Sequence, residues 1–124
     1  MVKTIKIIFV KPSNVGLLLE GENLTRYNNL HLQAVEAYKK ASKILEKING
    51  VQIQIEYTTI DVLTIPNEEL KTPANKIILI KDDGTALLLQ DEAFTRYQEH
   101  HFKGLELLGK KKTITGQTVK VTFL

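Results

Sequence analysis

Several features that would point to a particular chemistry or location are missing from this sequence. None of its 124 residues is cysteine, which excludes a disulfide framework, a thiolate nucleophile and a cysteine-based zinc or iron–sulfur site. No stretch approaches the roughly 18 consecutive apolar residues of a membrane span, and the apolar run after Met1 is far shorter than a signal peptide requires. We therefore expect a soluble, cytoplasmic protein that makes no use of a membrane.

Motifs that would identify an enzyme or a metalloprotein are also missing. There is no glycine-rich phosphate loop, nucleophile elbow or aromatic RNA-binding signature. His100 and His101 are adjacent, so on a helix they point about 100° apart and do not chelate one metal ion together. The sequence therefore predicts no metal site, no cofactor and no assignable catalytic residue.

The composition is that of an ordinary folded domain. Hydrophobic residues make up 43% of the chain and charged residues 25%, which argues against disorder. At this length the chain forms one core, so we expect a single domain over residues 1–124. The net charge of +3 is mild and comes mostly from scattered lysines, so a nucleic-acid partner is permitted but not required.

An internal duplication is the strongest pattern in the sequence. Comparing each residue with the one 70 positions later aligns 6–11 with 76–81 without a gap, and ten of the 24 positions from 17 to 40 are identical. After the helix the offset falls to 66, which aligns 50–57 with 116–123 and predicts a second helix four residues shorter than the first. The sequence thus predicts two half-units, 1–57 and 76–124, joined by residues 58–75.

Each half-unit is predicted to run strand, strand, helix, strand. Asp-Gly at 83–84 between two apolar runs predicts a hairpin, and residues 12–14 serve the same purpose in the first half. Asp91 is a suitable N-cap, with Gly21 in the equivalent place. An apolar stripe along each helix should lie on the sheet. We expect an α+β fold with pseudo-twofold symmetry, about six strands and two helices packed mainly on one face.

The two central strands predict an oligomer. Residues 6–11 and 76–81 are apolar on both sides, as in strands that are covered on both faces. Because one layer of two helices covers only one face, another subunit is the simplest second cover. We therefore expect a homo-oligomer, most simply a dimer.

The chain contains only two arginines, Arg26 and Arg96, and they occupy equivalent positions in the two helices. One interpretation is anion capture, because a guanidinium binds phosphate or carboxylate in a bidentate geometry that lysine does not reproduce. The other is an ordinary helix ion pair with the glutamate four residues earlier, Glu22 or Glu92.

A repeated tyrosine–histidine pair follows each arginine. Tyr27 with His31, and Tyr97 with His101, stand at i and i+4. Such a pair stacks on a base or takes part in acid–base chemistry in some proteins, and belongs to the core in others. With the arginines, these residues form the predicted ligand-binding set.

Three functions follow from these residues. The first is a non-enzymatic binding protein for an anionic ligand, a nucleotide or nucleic acid, held by the two arginines. The second is a structural or protein-interaction subunit of a homo-oligomer. The third is a small enzyme that uses histidine and tyrosine in acid–base chemistry.

Overall fold

The computed structural model describes residues 3–42, 50–109 and 116–124, without the side chains of residues 41, 42, 69 and 70. Over these ranges it is a mixed α+β structure in which seven antiparallel strands form one sheet, curled into a half-barrel. The strands are β1 (Thr4–Val10), β2 (Val15–Leu19), β3 (Val51–Ile53), β4 (Ile55–Thr59), β5 (Lys76–Lys81), β6 (Ala86–Gln90) and β7 (Gln117–Phe123).

Two long helical segments accompany the sheet. The first is α1 (Gly21–Ser42). The second consists of α3 (Glu92–Gln98), a π-helical segment (Glu99–Lys103) and α4 (Gly104–Leu108). The connection between β4 and β5 contains a 3₁₀ turn (Val62–Thr64) and a short helix, α2 (Asn67–Lys71).

The sheet has the strand order β3-β6-β5-β1-β2-β7-β4. Its two edge strands, β3 and β4, are separated in the chain by Gln54 alone, so the two edges meet and the sheet is strongly curled. The predicted final strand of the first half-unit is therefore divided at Gln54: one part pairs with β6 and the other with β7. This division gives seven strands instead of the expected six.

The curl buries the second face of the central strands within the chain. Eight buried side chains line the concave side: Ile8, Val10, Leu18, Ile78, Ala86, Leu88, Val119 and Val121. A second buried cluster lies between the convex face and the helices: Ile7, Phe9, Leu19, Leu24, Tyr27, Ile77, Leu89 and Tyr97. The sheet itself thus supplies the second cover that the sequence pattern assigned to another subunit. In residues 51–57 apolar and polar side chains alternate, a pattern that predicts Val51 on the buried side. That prediction is wrong, because Val51 lies on the edge strand β3 and is 57% exposed.

The predicted hairpins are confirmed, and both use a residue with positive φ. Asn14 (φ 66°) and Gly84 (φ 88°) each donate their backbone N–H to the carbonyl three residues earlier, as expected for three-residue hairpin loops. Asp91 precedes α3 as predicted, but its side chain makes no capping hydrogen bond. Its backbone is left-handed (φ 53°), which turns the carboxylate away from the cap geometry of an extended residue.

The helices pack on each other more extensively than the stripe predicted. Leu24 and Tyr27 belong to the cluster on the sheet, but about two turns after Tyr27, at Ala34, α1 meets α4. A Cβ on Gly104 would lie 1.9 Å from the carbonyl oxygen of Ala34, so glycine permits the contact. The second helix ends at Leu108, equivalent to residue 38, whereas α1 continues to Ser42. The segments over which the alignment offset changes, 43–49 and 110–115, lie outside the described residues.

Candidate functional site

The predicted tyrosine–histidine residues come together between the two helices. The hydroxyls of Tyr27 and Tyr97 hydrogen-bond to each other, and the Nδ1 atoms of His31 and His101 lie 3.0 Å apart. The imidazole of His31 stacks on Tyr97 at 5.1 Å and on His101 at 5.1 Å between ring centroids. We call these four side chains the ring cluster.

The tyrosine hydroxyls and the histidine Nδ1 atoms are paired within the ring cluster, three of whose side chains are buried. Tyr27, Tyr97 and His101 are 5%, 6% and 2% exposed. Burial raises the pKa of both tyrosines, and for Tyr27 the facing Tyr97 adds to the effect. Both hydroxyls therefore stay protonated at neutral pH.

The histidine pair is neutral for the same reason. Burial lowers the pKa of His31, with a further contribution from the nearby His100. Burial also lowers the pKa of His101 to about 4, aided by His31. A contact between two Nδ1 atoms requires one of them to donate a proton and the other to accept it, so the two imidazoles adopt different tautomers. One added proton preserves an N–H···N bond, whereas a second sets two donors against each other.

The arginines lie apart from this cluster. The side chain of Arg26 is 77% exposed, and its guanidinium is 4.0 Å from the carboxylate of Glu22. Arg96 donates to Glu92 at 2.5 Å. Both are i, i+4 ion pairs of the kind that contributes only about 0.3–0.5 kcal/mol. The predicted ligand set is thus divided into a buried group and two surface ion pairs.

A pocket that the sequence analysis did not identify lies beside α3. Its volume is about 410 Å³, in the range of small-molecule sites. Its walls come from β1, β2, β5, α3, the π-helical segment and the end of the joint. The lining residues are Phe9, Lys11, Leu17, Lys71, Thr72, Pro73, Ala74, Ile77, Phe94, Gln98 and Phe102.

The ring cluster supports two walls of this pocket. Phe9 contacts Tyr27 edge-on, with centroids 5.5 Å apart and planes inclined at 72°. Phe102 contacts His101 in the same manner, at 5.0 Å and 69°. The buried tyrosines and histidines therefore hold pocket residues in place, although they do not line the pocket themselves.

A signal for this pocket is present in the alignment of the two half-units. The three lining phenylalanines, Phe9, Phe94 and Phe102, align at the offset of 70 with leucines: Leu79, Leu24 and Leu32. Other lining residues are identical at this offset: Lys11 aligns with Lys81, Leu17 with Leu87, and Ile77 with Ile7. The phenylalanines, rather than the pocket lining as a whole, distinguish the two halves. Lys71 to Ala74 belong to the joint, which has no counterpart in the alignment.

No family model, curated protein or solved structure matches this chain. Within the described residues no helix is long and apolar enough to cross a membrane. The same part of the chain contains no group of three histidine, aspartate or glutamate side chains placed to hold a metal ion.

Proposed function

We propose that this protein is a non-enzymatic binding protein for a small anionic ligand, which occupies the pocket beside α3. The observation that supports this most strongly is the presence of two lysines, Lys11 and Lys71, in the lining of an otherwise mainly apolar cavity. A mainly apolar pocket with a few polar groups is the usual architecture of a small-molecule site.

The charged side chains of the lining indicate the charge of the ligand. The lining residues that the structure describes include two lysines and no aspartate or glutamate. Lys11 is half-buried and Lys71 is exposed, and two positive charges at the same pocket favour an anion over a cation. A ligand with one carboxylate or phosphate group and an apolar body fits both features.

The enzymatic alternative has less support. Acid–base catalysis requires the donor or acceptor to reach the substrate, but the Tyr27 and Tyr97 hydroxyls bind each other and His101 is 2% exposed. The arginine site predicted for a nucleotide or nucleic acid also has a simpler explanation in the two ion pairs with glutamate.

We further propose that the chain arose by duplication and has pseudo-twofold symmetry. The strand registers support this. Ile8 pairs with Ile78, the residue 70 positions later. Gly16 of β2 pairs with Val119 of β7, and the corresponding residues Ala86 of β6 and Ile53 of β3 also pair, at the offsets of 70 and 66. Contacts between residues 70 apart support it as well. They are Tyr27 with Tyr97, His31 with His101, and Ala34 with Gly104. An experimental structure in which segments 5–57 and 76–123 had different topologies would disprove the duplication.

Calorimetric titration with small amphipathic anions tests the proposed binding function. We expect at least one of decanoate, naphthalene-2-carboxylate and adenosine monophosphate to bind. The double variant Lys11→Gln/Lys71→Gln should weaken that binding at least tenfold, because both positive charges of the lining are lost. Lys81→Gln is the matched control, since Lys81 is the half-buried equivalent of Lys11 outside the pocket. Absence of binding by all three anions, or equal binding by the double variant, would contradict the proposal.

A second candidate is the interaction subunit, which a surface feature of the helix pair favours. Leu32 is 65%, Leu107 57% and Leu108 40% exposed, and Leu32 and Leu108 line one shallow groove between the helices. Burying such leucines in a homodimer would be favourable. Light scattering should then show a dimer that Leu32→Gln/Leu108→Gln dissociates, and a monomer throughout the micromolar range would count against this candidate.

A further inference from the structure

We infer that the pocket ligand is a flat aromatic acid, bound with its ring against phenylalanine side chains and its carboxylate near the lysines, at one site per chain. This inference rests on the proposed binding function and names the class of its ligand. The inference is based on a comparison of the side chains that line the pocket with those at the aligned positions of the other half-unit.

Phenylalanine residues are concentrated at this pocket. The chain has four phenylalanines, and three of them, Phe9, Phe94 and Phe102, line the pocket. The fourth, Phe123, packs against the concave core on the other side of the sheet. At the three equivalent positions the other half-unit has leucine, which folds equally well there, so the overall architecture does not require phenylalanine.

Phenylalanine and leucine differ in what they offer a ligand. Both supply apolar surface, and for an aliphatic chain they are nearly interchangeable. Only the phenyl ring supplies a quadrupole that favours offset-stacked or edge-to-face contact with another ring, worth more than the buried area alone. The presence of phenylalanine at three lining positions, where the aligned positions of the other half-unit have leucine, therefore favours a ligand that contains a ring.

The cavity is prepared for such a ring. Phe9 and Phe102 are held edge-on by Tyr27 and His101, so two of the three phenyl groups have a defined orientation before a ligand arrives, which reduces the entropy cost of binding. A cavity of about 150 Å³ is enough for benzene, and the 410 Å³ here accommodates two fused rings with a carboxylate.

The polar groups of the lining limit the class further. Besides the two lysines, only Thr72 and Gln98 contribute polar side chains. A nucleotide brings ribose hydroxyls and base edges, several of which would lose water without gaining a partner, at a cost for each. An aromatic monocarboxylate has one polar group, which the lysines satisfy.

Calorimetry with three probes tests the inference: naphthalene-2-carboxylate, decanoate and adenosine monophosphate. Wild-type protein should bind naphthalene-2-carboxylate at least tenfold more tightly than the other two, with one site per chain. The variant Phe94→Leu/Phe102→Leu carries the residues of the other half-unit. It should bind naphthalene-2-carboxylate about tenfold more weakly than the wild type, and decanoate less than threefold more weakly. Phe123→Leu is the matched control and should change neither affinity; circular dichroism verifies that each variant is folded.

The outcomes separate the ligand class from the binding function. Decanoate or adenosine monophosphate binding as tightly as naphthalene-2-carboxylate, in a manner sensitive to Lys11→Gln/Lys71→Gln, would overturn the aromatic class and leave the anion-binding function standing. Retention of the wild-type preference by Phe94→Leu/Phe102→Leu would also overturn it, as would two sites per chain. Absence of binding by every probe would overturn the binding function itself, and the ligand class with it.

Discussion

Mild acid should destabilise this protein through the His31–His101 pair, of which His101 is buried and His31 half-buried. The pKa of His101 is lowered from 6.5 to about 4, and that of His31 is lowered as well. Between these values the unfolded chain binds more protons than the folded one, so the free energy of unfolding falls as the pH falls below about 6.5. The stabilisation from the neutral pair is thus complete above pH 6.5 and is lost as the pH approaches 4.

The size of the effect follows from the shift. One pH unit below the unfolded pKa corresponds to about 1.4 kcal/mol for a single histidine, so His101 alone should lower the free energy of unfolding by about that amount between pH 7.5 and 5.5. His31 adds to the loss in the same direction.

Urea unfolding at pH 7.5, 6.5 and 5.5 measures this dependence. The comparison protein is His31→Phe/His101→Phe, which keeps two rings in the cluster and removes both titrating groups. His100 is present in both proteins and therefore does not contribute to the difference between them. The wild type should lose at least about 1 kcal/mol more than the double variant. Equal pH dependence in the two proteins would refute the assignment of the histidines as a buried neutral pair.

Three further predictions concern stability. Gly104→Ala should lower the free energy of unfolding in urea by about 2–3 kcal/mol, because the added Cβ would lie 1.9 Å from the Ala34 carbonyl oxygen. An unchanged unfolding midpoint would mean that the helices are not in close contact. Asp91→Gly should stabilise the protein by about 1 kcal/mol, seen as a higher thermal midpoint, because a positive φ (53°) is strained for aspartate and its side chain makes no capping hydrogen bond that would be lost. A lower midpoint would show a stabilising role for that carboxylate. Arg26→Lys and Arg96→Lys should each lower the free energy of unfolding by less than about 0.5 kcal/mol and leave ligand binding intact, because both arginines form i, i+4 ion pairs with glutamate. Weakened binding at unchanged stability would instead support the predicted arginine site.

Local patterns in the sequence predicted the local structure well. Asp-Gly at 83–84 identified a hairpin, because positive φ at Gly84 is a requirement of the turn itself. The division of the strand at Gln54 was not predictable in this way, because it depends on how far the whole sheet curls. The same curl covers the concave face of the sheet. This is a tertiary effect, so the pattern of apolar residues along one strand does not predict it. The homodimer consequently stays a prediction, without its original reason.

The candidate site shows a similar limit. The repeated pattern predicted Tyr27 and His31 and their equivalents as ligand-binding residues, and that role stays a prediction. In the structure they pack between the helices and bond to each other. The pocket combines residues that recur at the offset of 70, such as Lys11, with residues that do not recur, such as Phe94, and with Lys71 of the joint. Which of these residues meet in one cavity is visible only after the chain is folded.

Nuclear magnetic resonance titration with naphthalene-2-carboxylate tests the central claim most directly. The aromatic resonances of Phe9, Phe94 and Phe102 and the side-chain resonances of Lys71 should shift together and saturate at one ligand per chain, while those of Phe123 stay in place. Shifts centred instead on Arg26 and Arg96, saturating at two ligands per chain, would contradict the account and place anion binding on the two equivalent helices.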